Sequence, residues 1–380
     1  MAYFDNNATT PLGQNALEAY QCALSEDWQN PSSPYRSGSR VRAKMEKVRE
    51  ELAESLGVKK DEIIFTSGAT EANNAVFAYS ASIAKPDSTC LISPFEHPSI
   101  LEPARYYFKD RVSYLPTDQG GRIELELVEG ILNEGNISMV SLMAANNETG
   151  VLQPWKEVAQ ICANKGIYFH CDATQWIGKL AINDFSLCSS FSASAHKFSG
   201  PKGVGWLVCK EPIKLQLGGE QEMSMRGGTE NYPAIISMFT AWQDIQALLC
   251  STKERAEWRN RFEDGLIKAI PGVKVLGSKN PRLWNTSMIV VPNFDNLSWL
   301  GKLDKIGYSV STGSACSTGK VGQSIVGLSM GLSTREVRRL IRVSSYLEHR
   351  ESDWENLALA FEQVNIELIE DASNSSVISI

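Results

Sequence analysis

The stretch Ser194-Ala-His-Lys-Phe-Ser-Gly-Pro-Lys-Gly203 decides how the rest of the chain reads. Before it, Leu187-Cys-Ser-Ser-Phe-Ser-Ala193 has the character of a strand, and behind it Gly200, Pro201 and Gly203 force a turn. Lys197 is thereby delivered to the end of a sheet, a setting that suits a lysine forming a covalent Schiff base. A lysine amine near its ordinary pKa of about 10.4 is mostly protonated at neutral pH, so such a role requires surroundings that disfavour the ammonium. Taken alone, Lys197 reads as well as a surface residue in a polar loop, one of 37 lysines and arginines in the chain. The choice rests on what surrounds it.

The 380 residues suffice for one large and one smaller domain, and 43% apolar with 21% charged residues describe an ordinary globular protein. A net charge of −7 argues against a general nucleic-acid-binding surface. No apolar run approaches the ~18 residues of a membrane span, and the start lacks a secretory signal. Eight cysteines without Cys-x-x-Cys spacing fit reduced thiols in a cytoplasmic protein, and four histidines without ligand spacing give no structural zinc site. Cys90, Cys162, Cys171, Cys188, Cys209 and Cys250 read as small core residues. Cys316 does not.

Helical and strand-like segments alternate from about 40 to 250. Helices are expected over Val41–Leu56, Glu71–Ile83 and Pro154–Asn164. Strands are expected over Glu62–Thr66, Thr89–Ser93, Ser138–Ala144, Gly166–Cys171 and Gly205–Val208. That rhythm predicts an α/β fold with a mostly parallel sheet covered by helices on both faces. After a long helix over Tyr232–Ala269 with one break, strands at Gly272–Leu276, Thr286–Val291 and Tyr308–Ser311 open a smaller α/β unit. Arg335–Val343 and Trp354–Glu370 read as helix or a mixed segment. The expected division is a large domain over 15–255, a small one from 1–14 with 256–370, and a mobile Ser-rich tail over 371–380.

Four further segments bear on Lys197. Thr66-Ser-Gly-Ala-Thr-Glu-Ala-Asn-Asn74 joins a strand to a helix, and the free N–H groups around Ala69 and Thr70 suit a phosphate; Ser67 or Thr70 capping the helix explains it equally. Tyr168-Phe-His-Cys-Asp-Ala-Thr-Gln175 ends a strand in an acid, where ligands sit in parallel sheets. Asp172 there suits the protonated pyridine nitrogen of pyridoxal 5'-phosphate (PLP), or else a turn. Asn146-Asn-Glu-Thr-Gly150 is a good turn that also offers Asn147 to a ring hydroxyl, and Glu96-His97-Pro98 puts a histidine at another strand end.

In order and character these segments resemble the class V aminotransferase branch of the PLP fold-type I enzymes, and more closely the cysteine desulfurases of the NifS/IscS group. The likeness runs from Phe4-Asp-Asn-Asn-Ala-Thr-Thr-Pro11 to Arg342-Val-Ser344. It implies that Lys197 anchors PLP, that His97 stacks on the ring and serves as acid or base, and that Asp172 meets the pyridine nitrogen. It places Asn147 and Gln175 near the ring hydroxyl, and Ala69, Thr70, Ser194 and His196 at the phosphate. Arg226-Gly-Gly-Thr-Glu-Asn231 resembles a loop whose threonine reaches the phosphate of the neighbouring subunit, so Thr229 implies a homodimer. Arg342, with Asn147, is the implied holder of the substrate carboxylate.

Ser311-Thr-Gly-Ser-Ala-Cys-Ser-Thr-Gly319 is small and polar around one thiol, whereas a structural cysteine prefers apolar neighbours. The segment resembles the cysteine loop of group I desulfurases. The implied reaction converts L-cysteine to L-alanine, with sulfur passing to Cys316 as a persulfide and on to an acceptor protein. Iron–sulfur cluster assembly, tRNA thiolation and DNA phosphorothioation all draw on this group, and the dissimilar C-terminal end favours a specialised pathway. Selenocysteine lyase or another class V reaction, and a non-catalytic scaffold or regulator in a sulfur-transfer complex, are the competing readings. Two departures stand out: Glu220 replaces the third glycine of the family's Gly-Gly-Gly-x-Glu, and no histidine follows Asn30-Pro-Ser-Ser33.

Overall fold

The computed structural model describes residues 1–182, 185–312 and 324–377. A short first strand, β1 (Ala2–Tyr3), precedes the seven strands of the main sheet: β2 (Ile63–Thr66), β3 (Thr89–Ile92), β4 (Val112–Tyr114), β5 (Ile137–Ser141), β6 (Tyr168–Asp172), β7 (Ser190–Ser194) and β8 (Gly205–Cys209). Their spatial order is β2-β8-β7-β6-β5-β3-β4. All neighbours run parallel except β8, which is antiparallel to both β2 and β7. The expected mostly parallel sheet is therefore present, with one reversed strand that hydrophobic pattern alone does not reveal. Strands β2 and β8 are buried at every residue, which explains their continuous apolar character; β7 is buried throughout as well, although its serines alternate with Phe191 and Ala193.

A second sheet is built from β9 (Lys274–Val275), β10 (Thr286–Val290) and β12 (Leu340–Ser344), while β11 (Tyr308–Ser309) pairs with β1. The helices Thr252–Ala269 and Glu351–Val377 pack against each other beside this sheet over a core holding Phe262, Trp299, Trp354 and Phe361. Phe4 lies in that same core, so the first residues of the chain fold with the last hundred.

Several boundaries differ from expectation. The break in the long helix falls at the 3-10 turn Leu249–Ser251. Cys250 sits in that turn and is exposed, a correction to its reading as a core residue; the turn takes it off the buried face of the helices on either side. Cys90, Cys162, Cys171, Cys188 and Cys209 are buried free thiols. The segment Arg335–Val343 divides into a one-turn helix, Thr334–Val337, and β12. The final helix continues through residues 371–377, which the Ser-rich composition had pointed to as tail.

The loop Leu217–Met225 is braced from beneath. Glu222 and Arg49 form a fully buried bidentate pair, Nη1–Oε2 and Nη2–Oε1 both 2.8 Å. Arg49 also donates to the Ile63 carbonyl, and Glu222 accepts from the Phe65 N–H, so the pair clamps β2 just before the turn at Thr66. Holding Glu222 there places Glu222, Met223 and Ser224 successively in the left-handed region, at φ 47°, 59° and 62°. Each such non-glycine residue costs about 1–2 kcal/mol, which the buried pair must offset. Replacing Arg49 by Met leaves a buried carboxylate without its cation and is expected to lower unfolding stability by about 3–5 kcal/mol in denaturant titration. A loss under ~1 kcal/mol would contradict this bracing role.

Candidate active site

At the carboxyl ends of β5, β6 and β7 a cavity of about 240 Å³ opens between the main sheet and the second one. Strand β7 runs into the short 3-10 turn Ala195–Lys197, which presents Lys197 to the cavity. The chain then reverses through Ser199 at φ 63° and Gly200, whose missing Cβ would come within 2.7 Å of Ala195 Cβ. This tight reversal is the physical content of the Gly-Pro-x-Gly pattern behind the lysine. The Lys197 Nζ donates to the carbonyls of Asn7 and Ala8, both at 2.7 Å, so the amino-terminal segment forms the wall facing it.

Strand β6 ends in Asp172, whose carboxylate accepts from the Thr174 N–H through Oδ1 and from Asn73 Nδ2 through Oδ2, each at 3.0 Å. His97 caps the helix Pro98–Phe108; its Nδ1 accepts from the Ser99 N–H at 3.1 Å, so the neutral ring carries its proton on Nε2. Burial lowers the His97 pKa, Asp172 opposing that shift and Lys197 adding to it. A neutral imidazole beside a cavity can stack on an aromatic ring and exchange a proton near neutrality.

The turn into the helix Ala69–Ile83 supplies the anion end. Gly68 adopts φ 146°, and the Ala69 N–H donates to Ser194 Oγ at 2.8 Å. A hydroxyl that accepts there retains its own proton for an anion, and the helix start adds a favourable dipole. The closeness of this turn to the sheet depends on Gly205, where a Cβ would lie 2.9 Å from Gly68 Cα. Thr70 and His196 line the same cavity, His196 with Nδ1 3.2 Å from Thr9 Oγ1.

Asn147, Gln175 and Arg342 complete the walls. Gln175 donates through Nε2 to the Asn7 carbonyl at 3.0 Å and accepts from Lys179. Arg342, on β12, is buried, bonded to Asp5 Oδ1 at 2.6 Å and to the Asn147 carbonyl at 3.1 Å. Thr229 is exposed in a loop outside this cavity; Arg226, three residues earlier, is ion-paired with Glu71 on the helix Ala69–Ile83. Cys316 lies outside the described residues. Among the described residues no cluster of side chains could hold a metal ion, and no helix is long and apolar enough to cross a membrane.

Sequence reading alone assigned nothing to four side chains the structure brings to this site. Asn7 and Lys179 lie in one network, with Lys179 Nζ donating to Asn7 Oδ1 at 2.7 Å; burial, Lys197 and Arg342 together push the Lys179 amine well below its ordinary pKa. Asn73 and His170 lie beneath Asp172. The signal for Asn73 and His170 was a polar residue inside a packed helix or strand; Asn7 and Lys179 lie in turns and carried no such signal.

The class V aminotransferase family model matches residues 2–357. The chain belongs to that family. A cysteine desulfurase of Trichormus variabilis is 37% identical over 349 residues, 90% of this chain and 87% of its own. A solved NifS-like protein superposes with a TM-score of 0.87 at 32% identity, covering 96% and 98% of the two chains. SspA solved in complex with cysteine gives 0.78 at 27% identity, over 90% and 98%. The fold is that of PLP fold type I, the resemblance to the NifS/IscS group holds, and the cofactor of the family is PLP. The cavity fits it: a lysine amine, a carboxylate at a strand end, a histidine and an anion-binding helix start converge on one space. Bound PLP supplies an electron sink for negative charge at a substrate carbon.

Burial lowers the His196 imidazole to about 4, with Lys197, Lys202 and Lys179 adding to the shift. Unfolded histidine titrates near 6.5, so between that value and about 4 the unfolded chain binds the extra proton. The neutral His196 is therefore fully compatible with the fold above ~6.5 and costs stability as pH falls through this window. Cofactor-free protein should lose more Tm from about pH 7 to about pH 5 than its His196→Asn variant does; parallel curves would contradict the shift.

Proposed function

We propose that the protein is a PLP-dependent cysteine desulfurase that takes sulfur from L-cysteine onto Cys316 and releases L-alanine. The observation that carries this reading is the convergence of Lys197, Asp172 and His97 on one cavity, in a chain whose relatives are named cysteine desulfurases. The cysteine in the similar SspA structure supports the choice of substrate.

In this reading Arg342 holds the substrate carboxylate, its guanidinium already oriented by Asp5 and the Asn147 carbonyl. Lys197 would take the substrate Cα proton, its amine steered by the Asn7 and Ala8 carbonyls. His97, with Nε2–H as its proton-bearing atom, manages the proton of the substrate thiol. The Cys316 thiolate attacks the substrate sulfur: an S–S bond forms, the C–S bond breaks, and the electron pair stays with carbon. Protonation of that carbon yields alanine and leaves Cys316 as a persulfide.

Thr229, exposed near the Glu71–Arg226 pair at the anion end, supports its reaching the phosphate of a second copy and hence a homodimer. The seven described cysteines are all free thiols, which supports a cytoplasmic protein. The acceptor is a protein of iron–sulfur assembly, tRNA thiolation or DNA phosphorothioation.

Cys316→Ala is expected to keep the visible absorption of the bound cofactor while alanine release from L-cysteine falls to background. Unchanged turnover would remove the persulfide route and favour a selenocysteine lyase or another class V reaction. Wild-type protein that stays colourless after PLP addition would leave only the scaffold reading.

A further inference from the structure

Asn73 is entirely buried on the second turn of the helix Ala69–Ile83 and makes four hydrogen bonds to three other elements, β6, β7 and the helix Pro98–Phe108. Its Nδ2 donates to Asp172 Oδ2 at 3.0 Å and to Ser99 Oγ at 2.9 Å. Its Oδ1 accepts from Ser192 Oγ at 2.6 Å and faces His170 Nε2 at 3.0 Å. The direction of every bond in this set follows from one constraint. An ionised carboxylate only accepts, so the amide must turn its NH2 to Asp172. Oδ1 then faces His170, which must donate from Nε2. The other ring nitrogen, Nδ1, is left to accept from Ser190 Oγ, 2.8 Å away.

The outcome is a buried network with each donor matched to an acceptor, ending in a histidine that is neutral. That matters for Asp172. An imidazolium in the place of Asn73 would neutralise the carboxylate from behind; an amide fixes its orientation and leaves its charge available on the cavity side. With Thr174 N–H on Oδ1 and Asn73 on Oδ2, the carboxylate plane is pinned at both oxygens.

We infer that Asn73, locked in one amide sense by His170 and Ser192, is the positioning residue that aims the Asp172 carboxylate at the cofactor ring nitrogen. The inference rests on Asp172 serving that nitrogen, as in the function proposed above. It gives His170 a role as well: a fixed neutral donor that prevents the amide from flipping. Burial, opposed in part by Asp172, lowers the His170 pKa to about 4, in keeping with that role.

Two measurements test it. Visible titration with PLP should show Asn73→Ala binding the cofactor roughly 10- to 100-fold more weakly, the loss expected for one hydrogen bond to a charged group. Asn73→Asp sets a carboxylate against Asp172 and should bind more weakly still at neutral pH, recovering as pH falls and one of the two carboxylates gains a proton. In cofactor-free wild-type protein, nitrogen-15 spectra of the histidine side chains should show His170 as the neutral Nε2–H tautomer at pH 7, a readout that needs no variant to fold. A His170 that is protonated or Nδ1–H there overturns the inference. Unchanged PLP affinity in a folded Asn73→Ala does the same, whatever the activity. If instead these effects appear while wild-type protein releases no alanine from cysteine, the Asn73 assignment stands and the desulfurase reading falls.

Discussion

Asn7 is the point at which the two sheets are tied to the lysine. Its backbone N–H donates to Ser344 Oγ and its Nδ2 to Thr286 Oγ1, on neighbouring strands of the second sheet. Its Oδ1 accepts from Lys179 and from Asn285, and its carbonyl accepts from Gln175 and Lys197. One buried residue thus sets the distance between β12, which carries Arg342, and the turn that carries Lys197. A buried amide and peptide unit with this many partners is costly to displace, because each lost bond strands another polar group away from water. The relative placement of substrate-holding and cofactor-holding residues therefore follows from the packing of the first ten residues.

Charge in the cavity is arranged around this tie. Lys197, Lys179 and Arg342 crowd one side, with Asp5 bonded to Arg342 and Asp172 across the space. This crowding, with burial, holds the Lys179 amine well below its ordinary pKa. Burial acts on the opposite charge too. Glu96, with one oxygen accepting from the Met143 N–H, is held well above the ordinary carboxylate range by burial and by Asp172, so that Asp172 is not paired with a second full negative charge. Glu148 is raised likewise by burial, against the pull of Ser324 and Arg342.

Much of this was legible along the chain. Asp172, His97 and the turn at Gly68 stand where strands leave the sheet, and a break in apolar pattern marks those places. Lys197 was legible because glycine and proline behind it announce the reversal that exposes it. The direction of β8 was not, since an apolar run carries no polarity; nor was β4, three residues at a sheet edge of which two are exposed. Asn7, Asn73, His170 and Lys179 were illegible for a different reason. Each has partners far off in sequence, 337 residues for Asn7 with Ser344, 172 for Lys179 with Asn7 and 99 for Asn73 with Asp172, and local pattern holds no trace of such pairings. Polar residues inside buried elements are the usable hint, because each must find a partner.

Buried Lys179 and half-buried Lys197 share the Asn7 network, and only Lys197 follows a strand end that faces the helix start and Asp172. Borohydride reduction of the protein loaded with PLP, followed by peptide mass spectrometry, tests that distinction most directly. A phosphopyridoxyl group is expected on the peptide containing Lys197 and none on Lys179. Labelling of Lys179, or of neither lysine, would contradict it.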